Sequence, residues 1–392
     1  MKKLLILGGS HAEIPLIQSA QKKGFYVITT GNQEDGQGHK FSDRYVNCDF
    51  SDKEAILSLA RTVKADAICS GCNDFALLSA AYAAEKLGLP GHDSYETSLI
   101  LHHKDRYRKF AADNGMPTPQ AYKSFSVEEA CRYAGDIGYP VIVKPVDLTG
   151  GKGIKKCCDQ AELISACSDA FCRTREDHII IEKFIDGTNH GFSAFIKNKK
   201  VIFFFADNEH YYLNKYMVSG ASTPADVPDS VPDMLCEYSE TISQSLGLVD
   251  GILHIQYILS EDSIPYIIEV CRRAPGDLYI RFVELATGVP YPDMIVGAET
   301  GEGFMPCTRK EPDGYYTRHC IMGNRKGVIE DVVFSEEILQ NIVESFLWWK
   351  EGDIIENELL YKAGIVFLKF SDKHEMAKKL SLINELIKIK VR

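Results

Sequence analysis

The chain has 392 residues, 45% of them hydrophobic and 25% charged, with a formal net charge of −11. That length exceeds one ordinary core and implies two to three domains. The acidic balance and the lack of a basic run exclude a nucleic-acid backbone as main partner, and no apolar stretch approaches the ~20 residues of a membrane span.

Met1-Lys2-Lys3 before Leu4–Leu7 mimics the start of a signal peptide, but Gly8-Gly9-Ser10 ends the run as a strand would end, so a cytoplasmic protein is expected. The first hundred residues then alternate. Strands are expected at Leu4–Leu7, Tyr26–Thr29 and Ala67–Cys69. Helices are expected at Ala12–Lys23, at Lys53–Thr62 behind a Ser51 cap, and at Phe75–Leu87, stopped by Gly88. Such alternation predicts a parallel, doubly wound sheet. Gly8-Gly9-Ser10-His11 lacks the G-x-G-x-x-G spacing of a dinucleotide site.

A helix over Thr97–Asn114 follows, ended by Gly115, Pro117 and Pro119. From Val141 to Phe205 the pattern is β with one helical insert near Ala161–Arg173, and with strands at Ile179–Glu182, Phe192–Ile196 and Lys200–Phe205. A helix over Met234–Leu246 leads to strands Ile252–Leu259 and Tyr266–Val270. Gly301–Gly314 reads as a boundary, and Lys373–Ile387 as a terminal helix. The twelve cysteines, among them Cys48, Cys131, Cys236 and Cys320 in apolar contexts, read as reduced core thiols. Cys69 and Cys72 have zinc or redox spacing but lack a second C-x-x-C.

Chemistry concentrates in five stretches. The strand Val141–Pro145 delivers Lys144, and Gly150, Gly151 and Gly153 follow in a loop whose amides can cradle phosphate oxygens. The spacing is not that of a P-loop. Lys104 opens a helix where its ammonium can reach a phosphate. Ile179–Glu182 ends in Glu182, Lys183, Phe184 and Ile185, a carboxylate and backbone edge beside an apolar wall, as an adenine requires. Period two puts His254, Gln256 and Ile258 on one face and Leu253, Ile255 and Tyr257 on the other. Glu269, Cys271 and Arg273 likewise share a face, pairing a magnesium-type carboxylate with an arginine for phosphoryl charge.

Together these motifs, in this order over about residues 1 to 310, resemble the ATP-grasp superfamily, as in biotin carboxylase, carbamoyl-phosphate synthase-like proteins and L-amino-acid ligases. The resemblance implies α/β and α+β architecture. A Rossmann-like parallel sheet (1–100) would precede an ATP-grasp domain of two α+β subdomains (101–307, with a lid at about 122–206), and a small C-terminal α+β domain (308–392) would follow. It implies ATP and Mg²⁺. Lys104 and Lys144 would hold phosphates, and Gly150, Gly151 and Gly153 would close over them. Glu182 would accept from the adenine amino group, with the backbone of Lys183 and Ile185 beside it, and Asn189 would meet the ribose. Glu269 and Gln256 would hold the metal, while Arg273, with Lys144, would act in catalysis.

Gln256 and Cys271 stand where most members have Glu and Asn. Besides a nicotinamide oxidoreductase, which the N-terminal sheet suggests and the missing phosphate fingerprint disfavours, two functions are weighed. One is a carboxylate–amine ligase acting through an acyl phosphate on small-molecule substrates, an amino acid among them, with a homodimer by analogy. The other is a degenerate nucleotide-binding protein without turnover.

Overall fold

The computed structural model describes residues 1–146, 151, 153–305, 307 and 311–392. Four short strands open the chain and pair in parallel, in the order Arg44–Asn47, Tyr26–Gly31, Lys3–Leu7, Ala67–Cys69. Leu4 to Leu7 are fully buried in the centre of this sheet, so the expected doubly wound start is present. Arg44–Asn47 was not anticipated: it is a half-exposed edge strand with one aliphatic residue, Val46, and no apolar alternation to betray it. The helix Lys53–Val63 is capped by Asp52, not Ser51; the Asp52 carboxylate accepts from the amides of Glu54 and Ala55.

The single helix expected over 97–114 is two, Tyr95–His102 and Lys104–Asp113, separated by His103 with an extended backbone (φ −78°, ψ 116°). The break gives Lys104 the first position of a new helix. Ala121–Ser124, Ile179–Lys183, Val141–Pro145 and Lys155–Cys157 then form a small antiparallel sheet in that order. Two helices, Val127–Ile137 and Gln160–Arg173, bury Ala130, Ala134, Leu163 and Ala166 against Val141, Val143, Ile179 and Ile181. The first was not anticipated. Its signal is Ser126, which caps it by accepting from the Glu129 amide.

This small unit closes at Lys183, short of the expected 206. Thr188–Lys197 and Lys200–His210 belong instead to an eight-stranded antiparallel sheet. Its order is Pro265–Cys271, Gly251–Leu259, Thr188–Lys197, Lys200–His210, Gly220–Thr223, Tyr315–Met322, Lys362–Phe370, Ile342–Leu347. The sheet crosses position 307: Gly220–Thr223 pairs with Tyr315–Met322 residue for residue. The C-terminal part is thus hydrogen-bonded into the central one. The expected terminal helix is Lys373–Ser381 and Ile383–Leu386, after which Ile387–Val391 turns to strand. Its Ile-Lys-Ile-Lys-Val alternation is a strand pattern. Overall the class is α/β and α+β, as expected. Among the described residues no helix is long and apolar enough to cross a membrane.

Candidate active site

A cleft of about 780 Å³ lies between the small sheet, the large sheet and the N-terminal helices. It contains Lys104, Lys144, Gly151, Glu182, Lys183, Ile185, Asn189, Gln256, Glu269 and Arg273 in its lining. Residues spread over 170 positions of sequence therefore meet in one place. Gly150 and Lys152 lie outside the described residues.

One wall is the open face of the small sheet. Ile142 pairs with Glu182 across the ladder, and alternation puts Lys144 on the same side. Lys144 Nζ donates to Glu182 Oε2 at 2.6 Å, and Arg108 Nε donates to Glu182 Oε1 at 3.0 Å. All three side chains are at most 11% exposed. Burial would push the Glu182 carboxyl up, but Arg108 and then Lys144 outweigh it and hold it at about 2. Burial likewise draws the Lys144 ammonium down, with Arg108 and Lys104 adding to that and Glu182 opposing it. The trio carries one positive charge more than it neutralises, in a site sheltered from water. Among the described residues Arg108 Nη1 is buried with no partner.

Each oxygen of the Glu182 carboxylate, expected to meet the base, already accepts from one cationic donor. Lys183 N–H donates to the Gln120 carbonyl at 2.9 Å, and Phe184 N–H to Pro140 at 3.2 Å. What this stretch offers a base is the remaining backbone of 183–185. The glycine expectation holds a geometric requirement: Gly151 sits at φ 73°, and a Cβ there would lie 2.1 Å from the Tyr216 carbonyl oxygen. Gly153, at φ 74°, would meet Pro145 at 2.7 Å.

The floor is the large sheet. Gln256 pairs with Glu269 on one side and with Gly191 on the other, and Gly191 pairs with Asp207. Glu269, Gln256, Gly191 and Asp207 thus form one row across four strands, pointing into the cleft. The opposite faces, Leu253, Ile255, Tyr257, Ile267 and Val270, pack in a core. The expected two-face split of 253–258 is therefore seen. A register shift after Gln256 leaves Ile268 as an extra residue opposite that strand. This bulge turns the Ile268 carbonyl to Arg108 Nη2, 2.7 Å away.

Glu269 lies 3.7 Å from Lys104, and Gln256 Nε2 donates to Glu209 Oε1 at 2.5 Å. Glu269 and the Gln256 carbonyl are hard oxygen ligands on adjacent strands, a donor set that fits Mg²⁺ completed by phosphates and water. Cys271 does not fit: burial pushes its thiol up to about 12, and Sγ donates to the Arg273 carbonyl at 3.8 Å. Arg273 faces the cleft, but its Nε and Nη2 both donate to Asp74 at 2.8 Å, a bidentate tie to the helix Asp74–Leu87.

Sequence reasoning missed Arg108, Asp74, Asp207, Glu209, Asp277, Arg318 and Lys362. Asp207 Oδ2 accepts from Tyr279 OH at 2.7 Å, and Glu209 Oε2 accepts from Tyr211 OH at 2.6 Å. Burial, then the charge of Glu209, raises the Asp207 carboxyl to about 7. A signal existed: Phe203, Phe205, Asp207 and Glu209 have the same parity in one strand, so the acids follow apolar residues onto an inward face. Asp277, at φ 55°, holds Lys362 by a hydrogen bond and stands 3.7 Å from Arg318 Nη1. No local pattern joins those three.

Residues 103–296 match the family model described as the carbamoyl-phosphate synthase L chain, ATP binding domain. The carbamoyl phosphate synthase large chain of Campylobacter jejuni is 29% identical over 220 residues, 55% of this chain and 19% of that one. The chain spans about a fifth to two fifths of the length of the curated relatives it matches. Among solved structures, the L-amino acid ligase from Bacillus licheniformis is 21% identical with a TM-score of 0.82, covering 100% of this chain and 99% of that one. The dimeric biotin carboxylase domain of Hydrogenobacter thermophilus 2-oxoglutarate carboxylase, in complex with MgADP, ADP and bicarbonate, is 19% identical with a TM-score of 0.79, covering 100% and 91%. At these identities the structural likeness shows the fold, and the family model adds the ancestry of its central half. Residues 103–296 match that ATP-binding family over just under half of the chain, and the chain resembles the carboxylate–amine ligase branch of the ATP-grasp superfamily.

Proposed function

We propose that this chain is an ATP-dependent carboxylate–amine ligase. The observation that carries the reading is the facing of two walls: the buried Lys144–Glu182–Arg108 network on one, and the Glu269–Gln256 pair on the other, with Lys104 between them. A polyphosphate needs fixed cations on one side and a metal-binding carboxylate on the other. Lys144 and Lys104 bind and orient the phosphates of ATP, and the backbone of residues 183–185 takes the base. Glu269 and Gln256 are the residues that would hold Mg²⁺, which supplies charge neutralisation at the phosphoryl group.

A carboxylate oxygen of the substrate attacks the γ-phosphorus, the bond to the ADP oxygen breaks, and an acyl phosphate results. The amine nitrogen then attacks the acyl carbon, phosphate leaves with the C–O electron pair, and the nitrogen loses a proton. The small sheet, lying over the cleft, excludes water that would hydrolyse the acyl phosphate. Arg273, braced by Asp74, adds fixed positive charge at the reacting end. A homodimer belongs to the same reading, supported by the dimeric biotin carboxylase domain. Light scattering checks it against the monomer mass of 43.8 kDa.

The deciding experiment is ADP release with a panel of amino acids and amines, with hydroxylamine present to trap the acyl phosphate as a hydroxamate. Carboxylate-dependent ADP and hydroxamate are expected. Nucleotide binding with no ADP from any pair would instead favour a degenerate binding protein.

A further inference from the structure

Lys144 carries a conflict. It lines the cleft, yet its Nζ already donates to Glu182 Oε2 at 2.6 Å. A cation that faces a carboxylate at hydrogen-bond distance is largely neutralised and draws a phosphate weakly. The ladder imposes this pairing. The strands Val141–Pro145 and Ile179–Lys183 are antiparallel neighbours, with Ile142 opposite Glu182 and Lys144 opposite Ile180. Lys144 and Glu182 are therefore diagonal neighbours on one face of the small sheet.

Arg108 changes the sum. It comes from the helix Lys104–Asp113, one turn beyond Lys104. Its Nε donates to Glu182 Oε1 at 3.0 Å, and its Nη2 to the Ile268 carbonyl at 2.7 Å. At 4% exposure it stands outside the cleft lining. A guanidinium keeps its charge under all ordinary conditions, so Glu182 is met by a permanent cation at its other oxygen. Without Arg108 the Lys144–Glu182 pair sums to zero. With it one positive charge remains, and of the two cations only Lys144 lines the cleft. We propose that Arg108 is a positioning residue of the nucleotide site: it takes up the charge of Glu182 and so leaves the Lys144 ammonium free for a phosphate.

Two details favour this electrostatic role over a purely mechanical one. A clamp between Glu182 and the Ile268 carbonyl needs hydrogen bonds but no permanent charge. Arg108 brings more donors than the clamp uses, since its buried Nη1 has no acceptor among the described residues. Arg108 also adds to burial in drawing the Lys144 ammonium down. It therefore does not steady Lys144 as a partner of Glu182; it leaves an ammonium that gains when an anion reaches it. The inference rests on the reading of Lys144 as a phosphate ligand and is testable by binding alone.

Calorimetry on the full chain at fixed Mg²⁺ would give the affinities of ATP and adenosine, whose ratio measures what the phosphates contribute. Arg108→Met should cut this ratio about tenfold while adenosine binding stays within about twofold. Adding Glu182→Gln to Arg108→Met should return the ratio to within about threefold of the wild type, because Lys144 then faces no carboxylate. A ratio unchanged in Arg108→Met overturns the proposal. So does a ratio lost there and not regained in the double variant, which is what a mechanical clamp predicts. Should Arg108→Met fail to fold, as judged by circular dichroism, the double variant against the wild type decides: a ratio lost in it overturns the proposal. Lys144→Ala separates the proposal from the reading beneath it. A ratio that survives Lys144→Ala removes Lys144 from the phosphates, and the proposal falls with it. A ratio that drops in Lys144→Ala but holds in Arg108→Met sinks the proposal alone.

Discussion

The two walls of the cleft solve the problem of buried charge in opposite ways. On the small sheet, Glu182 sits between Arg108 and Lys144 at hydrogen-bond distance, and every carboxylate oxygen has a cation. On the large sheet, Asp207 and Glu209 accept from hydroxyls and an amide, and among the described residues neither forms an ion pair. The first arrangement meets both carboxylate oxygens without a ligand. One wall offsets its buried carboxylate with paired cations, the other with neutral hydrogen-bond donors.

This contrast can be broken at Glu182 first. Glu182→Gln leaves two buried cations facing each other, and loss of a buried partner costs about 3–5 kcal/mol. Urea unfolding should show a drop of that order. The two walls should also respond to pH with opposite signs. Glu182 has a depressed pKa, so its contribution is present above the ordinary carboxylate range and is lost as pH falls toward about 2. Asp207 has a raised pKa, so the folded state holds a proton the unfolded state has released, and stability falls as pH climbs through about 7. Asp207→Asn should therefore match the wild type near pH 4 and exceed it by about 4 kcal/mol at pH 8. Thermal melts at the two values check this; a variant less stable at pH 8 would mean that Asp207 is satisfied in the ligand-free protein. The smallest expected change is in binding. Lys144→Ala should weaken ATP binding about tenfold, or about 1.4 kcal/mol. Unchanged affinity by calorimetry would remove Lys144 from the phosphate wall.

What the sequence displayed, and what it hid, follows from how each residue reaches the cleft. Lys144, Glu182, Gln256 and Glu269 lie in short, largely apolar strands where a polar residue interrupts the run, and each was legible for that reason. Arg108 was not, because it comes from a helix 74 residues before its partner Glu182 and looks like one basic residue among several. The bulge at Ile268 was hidden too: period two correctly paired Glu269 with Cys271, but only the ladder to Gly251–Leu259 shows the extra residue. The sheet that crosses the expected boundary at 307 was hidden for a related reason. A Gly- and Pro-rich stretch marks an exposed connection, yet whether the strands on either side pair is decided by contacts remote in sequence.

That pairing has a consequence for anyone who would shorten the protein. Cutting near residue 307 would remove Tyr315–Met322 from its ladder with Gly220–Thr223 and leave the latter as a bare sheet edge. Unpaired edges of this kind recruit other chains, so a truncated product should precipitate rather than report on a minimal enzyme. It would also have lost Arg318 and Lys362, which enter the cleft only from the C-terminal strands. The tail of this chain is part of the vessel in which the chemistry takes place.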